Sequence, residues 1–395
     1  MIKTCIQKLS YIGCVLGRSF IFFGVLITPA ATADQQKADE TGTQYMQVVI
    51  SEFGEPGVLH IVEHDTLPEP GEGEVRLRVL TASASFTDVM VRKGIYPDLD
   101  TDLPFSPGYD LVGIVDKVGE GVTEFTVGQR VADLTVWGAY TEYAIRPVQY
   151  LVPLPEGLDA GQAVSLILSY TTAYQMMHRV AQVETGQTVL IHGASGAVGM
   201  ALAQLGQVAG LKMYGTASTG KQDFVAALGV TPIDYKTEDF AERIMEETKH
   251  SGVDVVFDAV SVDNFKRSYT ALKSGGTLVV YGFYRQSAQA GIGESLGLAM
   301  EYIHWKVLQY YWNWLQDEGR SVPDMYSITS MRETYPNWFR EDLAALFKFL
   351  DEGKIAPKVW KTLPLTDAKL AHEYIEDGAV EGKIVLRVSE DPDAK

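Results

Sequence analysis

The chain has 395 residues, of which 46% are hydrophobic and 21% are charged, so it can bury the cores of two domains. Its formal net charge of −18 argues against nucleic acids and anionic membrane surfaces as partners, because both repel an acidic protein. Its two cysteines, Cys5 and Cys14, lie close to the start, so the rest of the chain offers no disulfide, cysteine nucleophile or thiolate metal ligand.

The first 45 residues have the features of a secretory signal peptide followed by a polar linker. Lys3, Lys8 and Arg18 precede an apolar run from Phe20 to Ile27, and Ala31-Thr32-Ala33 provides a site for cleavage after Ala33. The apolar run is shorter than the roughly 20 residues that span a bilayer. A cleaved leader predicts an exported protein, either periplasmic or secreted.

The residues from 46 to about 165 are rich in Val, Gly and Pro and contain alternating runs such as Glu74–Val79. Alternation with a period of two, interrupted by glycine and proline turns, predicts a predominantly β domain. From 185 to 282 the pattern changes to short apolar strands separated by helical stretches, which predicts a parallel, doubly wound α/β sheet. The strands expected there are Thr188–His192, Leu211–Thr216, Val253–Asp258 and Thr277–Gly282. The tail adds a helix, Glu341–Leu350, and a final strand, Lys383–Val388.

A glycine-rich turn, Gly193-Ala194-Ser195-Gly196-Ala197-Val198-Gly199, follows the first of these strands and opens a helix. In that setting Gly196 lets a pyrophosphate approach the backbone, Gly199 permits close packing of helix on strand, and the helix N-terminus supplies free N–H groups. The spacing is one residue away from the usual Gly-x-Gly-x-x-Gly, and glycine turns also occur in α/β proteins that bind no nucleotide. The flanking strands and helix favour a dinucleotide site.

The end of the next strand indicates which dinucleotide is bound. NAD sites place a carboxylate here for the ribose 2′-hydroxyl, whereas NADP sites place hydrogen-bond donors and positive charge. The segment Tyr214–Lys221 has no carboxylate, and Ser218 and Lys221 occupy the position instead. NADPH is therefore the predicted cofactor, with a solvated surface role for Lys221 as the alternative.

Together these motifs resemble the zinc-free quinone oxidoreductase group of the medium-chain dehydrogenase/reductase superfamily, which includes zeta-crystallin. The resemblance covers essentially all of 46–390 and is nearest to the vesicle amine transport protein-like branch. It is carried by Ser85-Phe86-Thr87-Asp88, Arg92–Pro97, Pro107–Gly113, Val127–Val131, Leu168–Tyr174, Gly193–Gly199, Gly215–Ser218, Lys221, Pro232–Tyr235 and Gly382–Leu386.

The resemblance implies a GroES-like β-rich domain combined with a Rossmann cofactor domain, with the active cleft between them. The implied division is a leader and linker at 1–45, a GroES-like catalytic domain at 46–168, a Rossmann NADP-binding domain at 169–325 and a return to the catalytic domain at 326–395. It also implies a homodimer formed through the cofactor domain. The cofactor-binding residues that it implies are Thr172, Ser195, Gly196, Ala197, Val198, Gly199, Ser218, Lys221, Tyr235, Tyr281, Gly282 and Phe283.

The sequence argues against a zinc site. Zinc-dependent relatives bind the catalytic metal through a thiolate and an imidazole, and add a four-cysteine structural site. Here no cysteine follows Cys14, and Gly108-Tyr109-Asp110 stands where those enzymes have Gly-His-Glu. Without a Lewis acid, hydride delivery from NADPH to an electrophilic quinone or α,β-unsaturated carbonyl is easier than oxidation of an alcohol.

Two residues are the candidate catalytic groups. Ser85 or Tyr96 is expected to donate a hydrogen bond to the acceptor oxygen as negative charge develops on it. In quinone reductases an asparagine stands at the position of Ser85 and a tyrosine at the position of Met90, so this chain departs from the quinone reductase pattern at both positions. The alternative for Tyr96 is a packed turn tyrosine beside Pro97.

Three nearby residues receive structural interpretations. Asp88 is expected to cap the start of a helix, Tyr109 to line the cleft, and His372 to be structural. The aromatic stretch from Tyr302 to Leu315 predicts a buried helix at an interface. The alternatives are a hydrophobic lid for a bulky acceptor or a lipid-facing patch.

The predicted function is thus NADPH-dependent reduction of a small hydrophobic quinone or enone, by an enoyl reductase-like reaction. The alternative is a weakly or non-catalytic nucleotide-binding protein that binds lipid or a membrane partner. Reduced nicotinamide cofactors are supplied in the cytoplasm, which argues against export of an enzyme that depends on them. The functional protein therefore has an alternative start at Met46, which predicts a cytoplasmic location. The signal peptide and this second start both remain open.

Overall fold

The computed structural model describes residues 44–97, 99–315 and 317–392, so the predicted leader lies outside the described residues. The strands are β1 (Tyr45–Val49), β2 (His60–His64), β3 (Glu74–Ala84), β4 (Leu111–Val118), β5 (Arg130–Asp133), β6 (Tyr143–Pro147), β7 (Val152–Pro153), β8 (Thr188–Ile191), β9 (Lys212–Ala217), β10 (Thr231–Asp234), β11 (Val253–Asp258), β12 (Leu272–Val280), β13 (Val359–Pro364) and β14 (Lys383–Arg387). The helices are α1 (Phe86–Arg92), α2 (Ala160–Ser165), α3 (Thr171–Gln175), α4 (Ala197–Ala209), α5 (Gln222–Ala227), α6 (Phe240–Glu247), α7 (Val262–Thr270), α8 (Tyr284–Gln289), α9 (Ser295–Leu315), α10 (Ile328–Thr334), α11 (Pro336–Asp351) and α12 (Ala368–Glu376).

The β-rich part is built on a sheet with the order β13-β14-β3-β4-β5-β7, and β6 also pairs with β3. Every pair in it is antiparallel except β13 with β14. Strand β3 alternates between buried and half-buried residues from Glu74 to Val79 and is then buried as far as Ala84. The alternation predicted at Glu74–Val79 thus corresponds to the first half of a long strand, in which one face of the sheet is partly exposed to solvent. Ile384 in β14 pairs with Ala84, so the tail returns to this sheet as expected.

The second sheet is fully parallel, with the order β10-β9-β8-β11-β12. The chain moves outward from β8 through β9 to β10, and then crosses back to β11 beside β8. In such open sheets, ligands bind outside the carboxyl ends of the strands at the point where the order reverses. That point is the end of β8, where the glycine turn begins. The predicted fold class, a GroES-like β-rich domain with a Rossmann domain, is confirmed.

Two predicted element bounds differ from the structure for clear reasons. Strand β12 begins at Leu272 rather than Thr277, because Leu272 pairs with Val253 before a bulge, after which Thr277 pairs with Val255. Gly275 lies in that bulge with φ of +74°. Helix α11 begins at Pro336 rather than Glu341, since proline is favoured in the first helical turn.

A shared hydrophobic core joins the two sheets. Leu80 and Leu134 of the β-rich part belong to the same buried cluster as Ile191 in β8 and Met200 in α4. Helix α3 lies between these parts and contacts both α4 and α11. This core therefore holds the two sheets in a defined arrangement. In the part of the chain that the structure describes, no helix has the length and hydropathy needed to cross a bilayer.

Candidate active site

The glycine turn connects β8 to α4 and requires glycine at two positions. Gly193 has φ of +66°, a conformation that L-residues with side chains adopt rarely. A Cβ on Gly199 would overlap the Gly193 carbonyl oxygen and lie 2.6 Å from the Cα of Ala194. The first turn of α4 therefore packs directly on the turn, as the sequence predicted for Gly199.

Gly196 leaves the other side of the turn open. It is exposed, and a Cβ there would meet no atom closer than 3.4 Å. Gly196 is the N-cap of α4 and has no side chain that could bind the first amides of this 13-residue helix. Those amides therefore lie at the half-exposed surface formed by Ala197 and Val198. Ser195 is buried beneath them. An open backbone at a helix N-terminus fits the diphosphate of a dinucleotide.

A buried polar network that the sequence analysis missed holds this turn in place. The Gly193 N–H donates to Thr216 Oγ1 at 3.2 Å, and the Ala194 N–H donates to the Thr216 carbonyl at 3.0 Å. His192 Nδ1 lies 3.1 Å from the same hydroxyl and its Nε2 lies 3.0 Å from Ser268 Oγ, which donates to Asp258 at 2.7 Å. Burial lowers the pKa of His192, which keeps the ring neutral. The signal in the sequence was a set of polar residues at the carboxyl ends of otherwise apolar strands.

The residues expected at the cofactor's 2′-phosphate lie at one corner beside the end of β9. The Lys221 N–H donates to the Ser218 carbonyl at 2.9 Å, and the Tyr235 N–H donates to the Ala217 carbonyl at 3.4 Å. Ser218 is half-buried, whereas the Tyr235 ring is 55% exposed. The three residues are thus brought together as expected.

The Lys221 ammonium is already engaged in this structure. It donates to the carbonyl oxygens of Gly378 and Val380 at 3.0 and 3.1 Å, in the loop between α12 and β14. The expected phosphate ligand therefore also ties the parallel sheet to the returning tail. A carboxylate missed by the sequence analysis, Asp234, lies at the same corner, and a hydrogen bond from Thr219 lowers its pKa.

The residues expected around the nicotinamide come from two places, which are helix α3 and the segment that follows β12. Thr172 is buried in α3 and hydrogen-bonds to the Tyr326 hydroxyl, which donates to Gln175 at 2.8 Å. Tyr281 follows β12, and its N–H donates to the Asp258 carbonyl at 3.1 Å. Gly282 comes next, half-buried.

Phe283 continues this segment and is buried. Its ring centroid lies 5.7 Å from that of Phe265 in α7. The segment Tyr281-Gly282-Phe283 therefore sits at the carboxyl end of the parallel sheet, next to the switch point.

In the β-rich part, Ser85 is the N-cap of α1 and is half-buried. Its N–H and its hydroxyl both donate to Asp88 Oδ2, at 2.8 and 2.7 Å. Asp88 is fully buried, and among the described residues no donor reaches its Oδ1. Burial, with the nearby charge of Asp110 as a smaller contribution, raises the pKa of Asp88 to about 7. Asp88 does close the start of α1 as expected, but it is also a carboxyl group that titrates near neutrality.

Tyr96 and Tyr109 form a pair. Their hydroxyl oxygens are 2.5 Å apart and their rings meet edge to face, with centroids 5.7 Å apart. Tyr109 is almost fully buried, whereas Tyr96 is half-buried and packs with Trp137. Tyr109 therefore contacts the Tyr96 hydroxyl from the buried side. Tyr96 is the more exposed tyrosine of the pair, so it is the one that a ligand can reach.

Helix α1 brings the β-rich part to the edge of the parallel sheet. The Phe86 ring lies 4.9 Å from that of Tyr284 at the start of α8, and the Gly293 N–H donates to the Lys93 carbonyl at 2.9 Å. Met90 packs against the cluster that contains Phe283. The structure thereby places Ser85 at the start of a helix that borders the nicotinamide side of the predicted cofactor site.

His372 lies within a buried charged network behind α1. Its Nε2 is 3.3 Å from the Tyr140 hydroxyl and its Nδ1 is 3.4 Å from the Arg92 guanidinium, which donates to Glu376 at 2.8 Å. Burial and the Arg92 charge lower the pKa of His372 to about 3. A neutral ring with these contacts agrees with the structural role predicted for it.

Comparisons with known proteins match both halves of this arrangement. A family described as alcohol dehydrogenase GroES-like domain matches residues 71–156, and a family described as zinc-binding dehydrogenase matches residues 228–386. A 2-haloacrylate reductase from a Burkholderia species is 32% identical over 349 residues, which cover 86% of this chain and 98% of the relative. A synaptic vesicle membrane protein VAT-1 homolog-like protein from Mus musculus is 28% identical over 367 residues, covering 92% of this chain and 86% of the relative.

The solved structures agree with the sequence relatives. The crystal structure of Escherichia coli quinone oxidoreductase complexed with NADPH superimposes with a TM-score of 0.74 at 28% identity. The match covers 87% of this chain and 100% of that one. The similarity therefore extends over both sheets and the cleft between them.

Proposed function

The chain belongs to the medium-chain dehydrogenase/reductase superfamily, and on that premise we propose that it is a zinc-independent, NADPH-dependent reductase of quinones or α,β-unsaturated carbonyls. Two observations carry the proposal. The glycine turn lies at the switch point of the parallel sheet, and α1, which starts with the Ser85–Asp88 pair, contacts Tyr284 beside the segment expected to flank the nicotinamide. The proposal assigns dinucleotide binding to the glycine turn and acceptor polarisation to the start of α1.

The cofactor is NADPH, as in the E. coli relative. The open backbone from Ser195 to Val198, above the packed Gly199, would hold the diphosphate, and Ser218, Lys221 and Tyr235 would hold the 2′-phosphate. Thr172 and the segment Tyr281-Gly282-Phe283 would hold the nicotinamide end. When bound, NADPH supplies a hydride.

The acceptor's oxygen needs a hydrogen-bond donor as negative charge develops on it. Ser85 is the first donor that we propose, and its hydroxyl donates to Asp88 Oδ2 in this structure. Once Asp88 is protonated, its carboxyl group can donate to Ser85 Oγ, which frees the Ser85 proton for the acceptor. A carboxyl pKa of about 7 makes that state accessible at neutral pH. Tyr96, backed by Tyr109, is the second donor.

Zinc independence rests on the residues at the ligand positions. Where a zinc enzyme of this superfamily would have the histidine of Gly-His-Glu, Tyr109 directs its hydroxyl to Tyr96. The neighbouring Asp110 is buried, accepts a hydrogen bond from Ser83 and lies 3.9 Å from the Lys383 ammonium. Tyr109 and Asp110 thus have polar partners within the β-rich domain. The chain has no cysteine after Cys14 that could provide a thiolate ligand.

The activities of the relatives support the acceptor class. A 2-haloacrylate carries a carbon–carbon double bond activated by a carboxylate, and a quinone carries two conjugated carbonyls. Both accept hydride at carbon or oxygen without prior ionisation, in keeping with a site that offers hydroxyl donors.

The second candidate function is a weakly catalytic or non-catalytic nucleotide-binding protein that binds lipid or a membrane partner. It is favoured by the exposed apolar side chains of α9, and by similarity to synaptic vesicle membrane proteins. Both functions require cofactor binding, so binding alone does not distinguish them. Measurable turnover of an acceptor does.

The test is to follow NADPH absorbance with a naphthoquinone, an enone and an aldehyde, using NADH as the control cofactor. We expect NADPH oxidation with the quinone or the enone, slower oxidation of NADH and none with the aldehyde. A sample that binds NADPH but turns over no acceptor would support the binding protein instead. A sample that binds neither cofactor would refute the assignment of the glycine turn.

A further inference from the structure

Three ionisable groups of the β-rich part, distant from one another in sequence, meet at one edge of its sheet. In the order β14-β3-β4, both flanking strands run antiparallel to β3, so both begin beside the end of β3. Lys383 is the first residue of β14, Asp110 directly precedes β4, and Asp88 lies in α1, the element that follows β3. The topology therefore gathers one ammonium group and two carboxyl groups around the end of β3.

The three groups are enclosed by the protein. Asp88 and Asp110 are fully buried and Lys383 is 2% exposed. The Lys383 Nζ lies 3.9 Å from Asp110 Oδ2, and the charges of both residues act on Asp88. Among the described residues, no hydrogen bond reaches Asp88 Oδ1, Asp110 Oδ2 or Lys383 Nζ. The three groups therefore interact through their charges, and the absence of water around them makes that interaction strong.

The number of charges in this cluster favours a retained proton. One ammonium group offsets part of the cost of burying one carboxylate, but it leaves the second carboxyl group without a cation. Burial raises the pKa of both Asp88 and Asp110, and the charge of Lys383 lowers both. Which of the two keeps its proton to higher pH therefore depends on the partners that each one has.

Asp110 is the better site for the negative charge. It accepts hydrogen bonds from the N–H and the hydroxyl of Ser83 and from the backbone of Leu168, and it lies within ion-pair distance of Lys383. In the described chain, the hydrogen bonds to Asp88 come from Ser85. More donors and an ion-pair partner stabilise the ionised form of Asp110. The proton of the cluster therefore falls to Asp88.

The other ionisable groups that the structure describes around Asp88 keep one charge state near pH 7. Burial raises the pKa of Tyr140 well above its ordinary value, and burial lowers the pKa of His372 to about 3. Arg92 pairs with Glu376 at 2.8 Å, and hydrogen bonds outweigh burial to lower the pKa of Glu376. These groups therefore do not compete for the proton of the cluster.

We propose that Asp110 and Lys383 are positioning residues, which pair with each other and thereby leave Asp88 as the carboxyl group that keeps a proton beside Ser85. The proposal rests on the proposed reductase function, in which that proton frees the Ser85 hydroxyl for the acceptor. Without the carboxylate of Asp110, the ammonium of Lys383 is left to Asp88, which then ionises and retains the hydrogen bond from Ser85. The pair of Asp110 and Lys383 thus sets the upper pH limit of activity.

The experiment measures the proton on Asp88 in the full chain without cofactor. The carboxyl C=O band is followed against pH in infrared difference spectra between each protein and its Asp88→Asn derivative. We expect a midpoint at about 7 in the wild type. Asp110→Asn should lower the midpoint by at least about one pH unit, because Lys383 then acts on Asp88 alone. Adding Lys383→Met to Asp110→Asn removes both charges and should return the midpoint to within about half a unit of the wild type.

Lys383→Met alone gives a second test that does not depend on the folding of Asp110→Asn. Without the ammonium group, both carboxyl groups of the cluster should keep a proton at about pH 6. The difference spectrum between Lys383→Met and the wild type should then show one additional protonated carboxyl group. The matched control is Asp116→Asn, further along β4, where the carboxylate pairs with Arg76 at 2.6 Å. That variant should keep the wild-type midpoint.

The pH dependence of kcat extends the test to the reaction. Its fall at high pH should move with the infrared midpoint, to lower pH in Asp110→Asn and back in the double variant. An unchanged or raised midpoint in Asp110→Asn, or no additional protonated carboxyl group in Lys383→Met, would overturn the proposal. A wild type that reduces no acceptor would refute the reductase function, and the infrared midpoints, measured without an acceptor, would still decide whether Asp110 and Lys383 set the proton on Asp88.

Discussion

The hydroxyl of Ser85 donates a 2.7 Å hydrogen bond to a carboxylate oxygen of Asp88, three residues further along the chain. Ser85 is half-buried, whereas Asp88 is fully buried. The pair thus joins a group that a ligand can reach to a carboxyl group whose pKa is raised to about 7 by burial. The same hydrogen bonds that cap α1 are those that we propose to control the Ser85 hydroxyl proton.

Removing the Ser85 hydroxyl should slow reduction without loosening the cofactor. We expect Ser85→Ala to lower kcat about 10- to 100-fold with a quinone or enone, because the acceptor oxygen loses its donor. NADPH affinity should stay within about twofold, and Ser85→Thr should restore part of the rate. The matched control is Thr87→Val on the same helix, which should retain the wild-type kcat. Equal kcat values for Ser85→Ala and the wild type would remove Ser85 from catalysis.

Asp88 predicts a specific dependence of stability on pH. Because burial raises its pKa from 3.8 to about 7, the folded protein binds more protons at Asp88 than the unfolded chain does between these values. The contribution of Asp88 to stability is therefore present at low pH and is lost as the pH rises to about 7. Asp88→Asn cannot titrate, so its stability relative to wild type should improve by about 2–3 kcal/mol between pH 5 and pH 7.

Urea unfolding of wild type and Asp88→Asn at both pH values measures this difference, and other titrating groups cancel because the two proteins share them. The pH–rate profile gives an independent readout. We expect wild-type kcat to fall above about pH 7, because ionised Asp88 accepts the hydrogen bond from the Ser85 hydroxyl and keeps it from the acceptor. The same fall in Asp88→Asn would place the ionisation on another group.

Gly199 should not tolerate a side chain. A Cβ there meets the Gly193 carbonyl and the Ala194 backbone, so Gly199→Ala must push α4 away from the glycine turn. We expect a loss of about 3 kcal/mol in the free energy of unfolding, together with weaker NADPH binding. The control is Gly297→Ala, also at a helical glycine, where a Cβ meets nothing within 4 Å. That variant should be as stable as the wild type or more so, and a similar loss in both would contradict the packing argument.

Lys221 should discriminate between the two nicotinamide cofactors. Lys221→Glu places a negative charge at the expected 2′-phosphate corner and also breaks the bonds to Gly378 and Val380. We expect affinity for NADPH to fall at least about 10-fold more than affinity for NADH, as measured by fluorescence titration. Lys212→Glu reverses the same charge at the other end of β9 and should affect both cofactors little. Equal losses for NADPH and NADH in Lys221→Glu would mean that Lys221 serves only as the tether to the tail.

The sequence by itself determined the order and type of the elements that carry the site. Alternation at Glu74–Val79, the apolar strand before Gly193 and the glycine spacing are local patterns, and each depends on residues that are neighbours along the chain. For the same reason the local pattern identified Lys221 and the glycine turn as candidates, whereas Ser85 and Tyr96 came from the resemblance, which extends over nearly the whole chain.

The tertiary structure decided which of these residues have a second partner, and that depends on contacts between residues distant in sequence. Lys221 meets carbonyls more than 150 residues away, and Tyr109 turns its hydroxyl to Tyr96. Asp88 acquires a pKa of about 7 because the packed β-rich domain removes water from it, which no local pattern encodes. Likewise the aromatic stretch predicted to form a buried interface helix is buried on one face alone, because the domain surface can cover only one side of a helix.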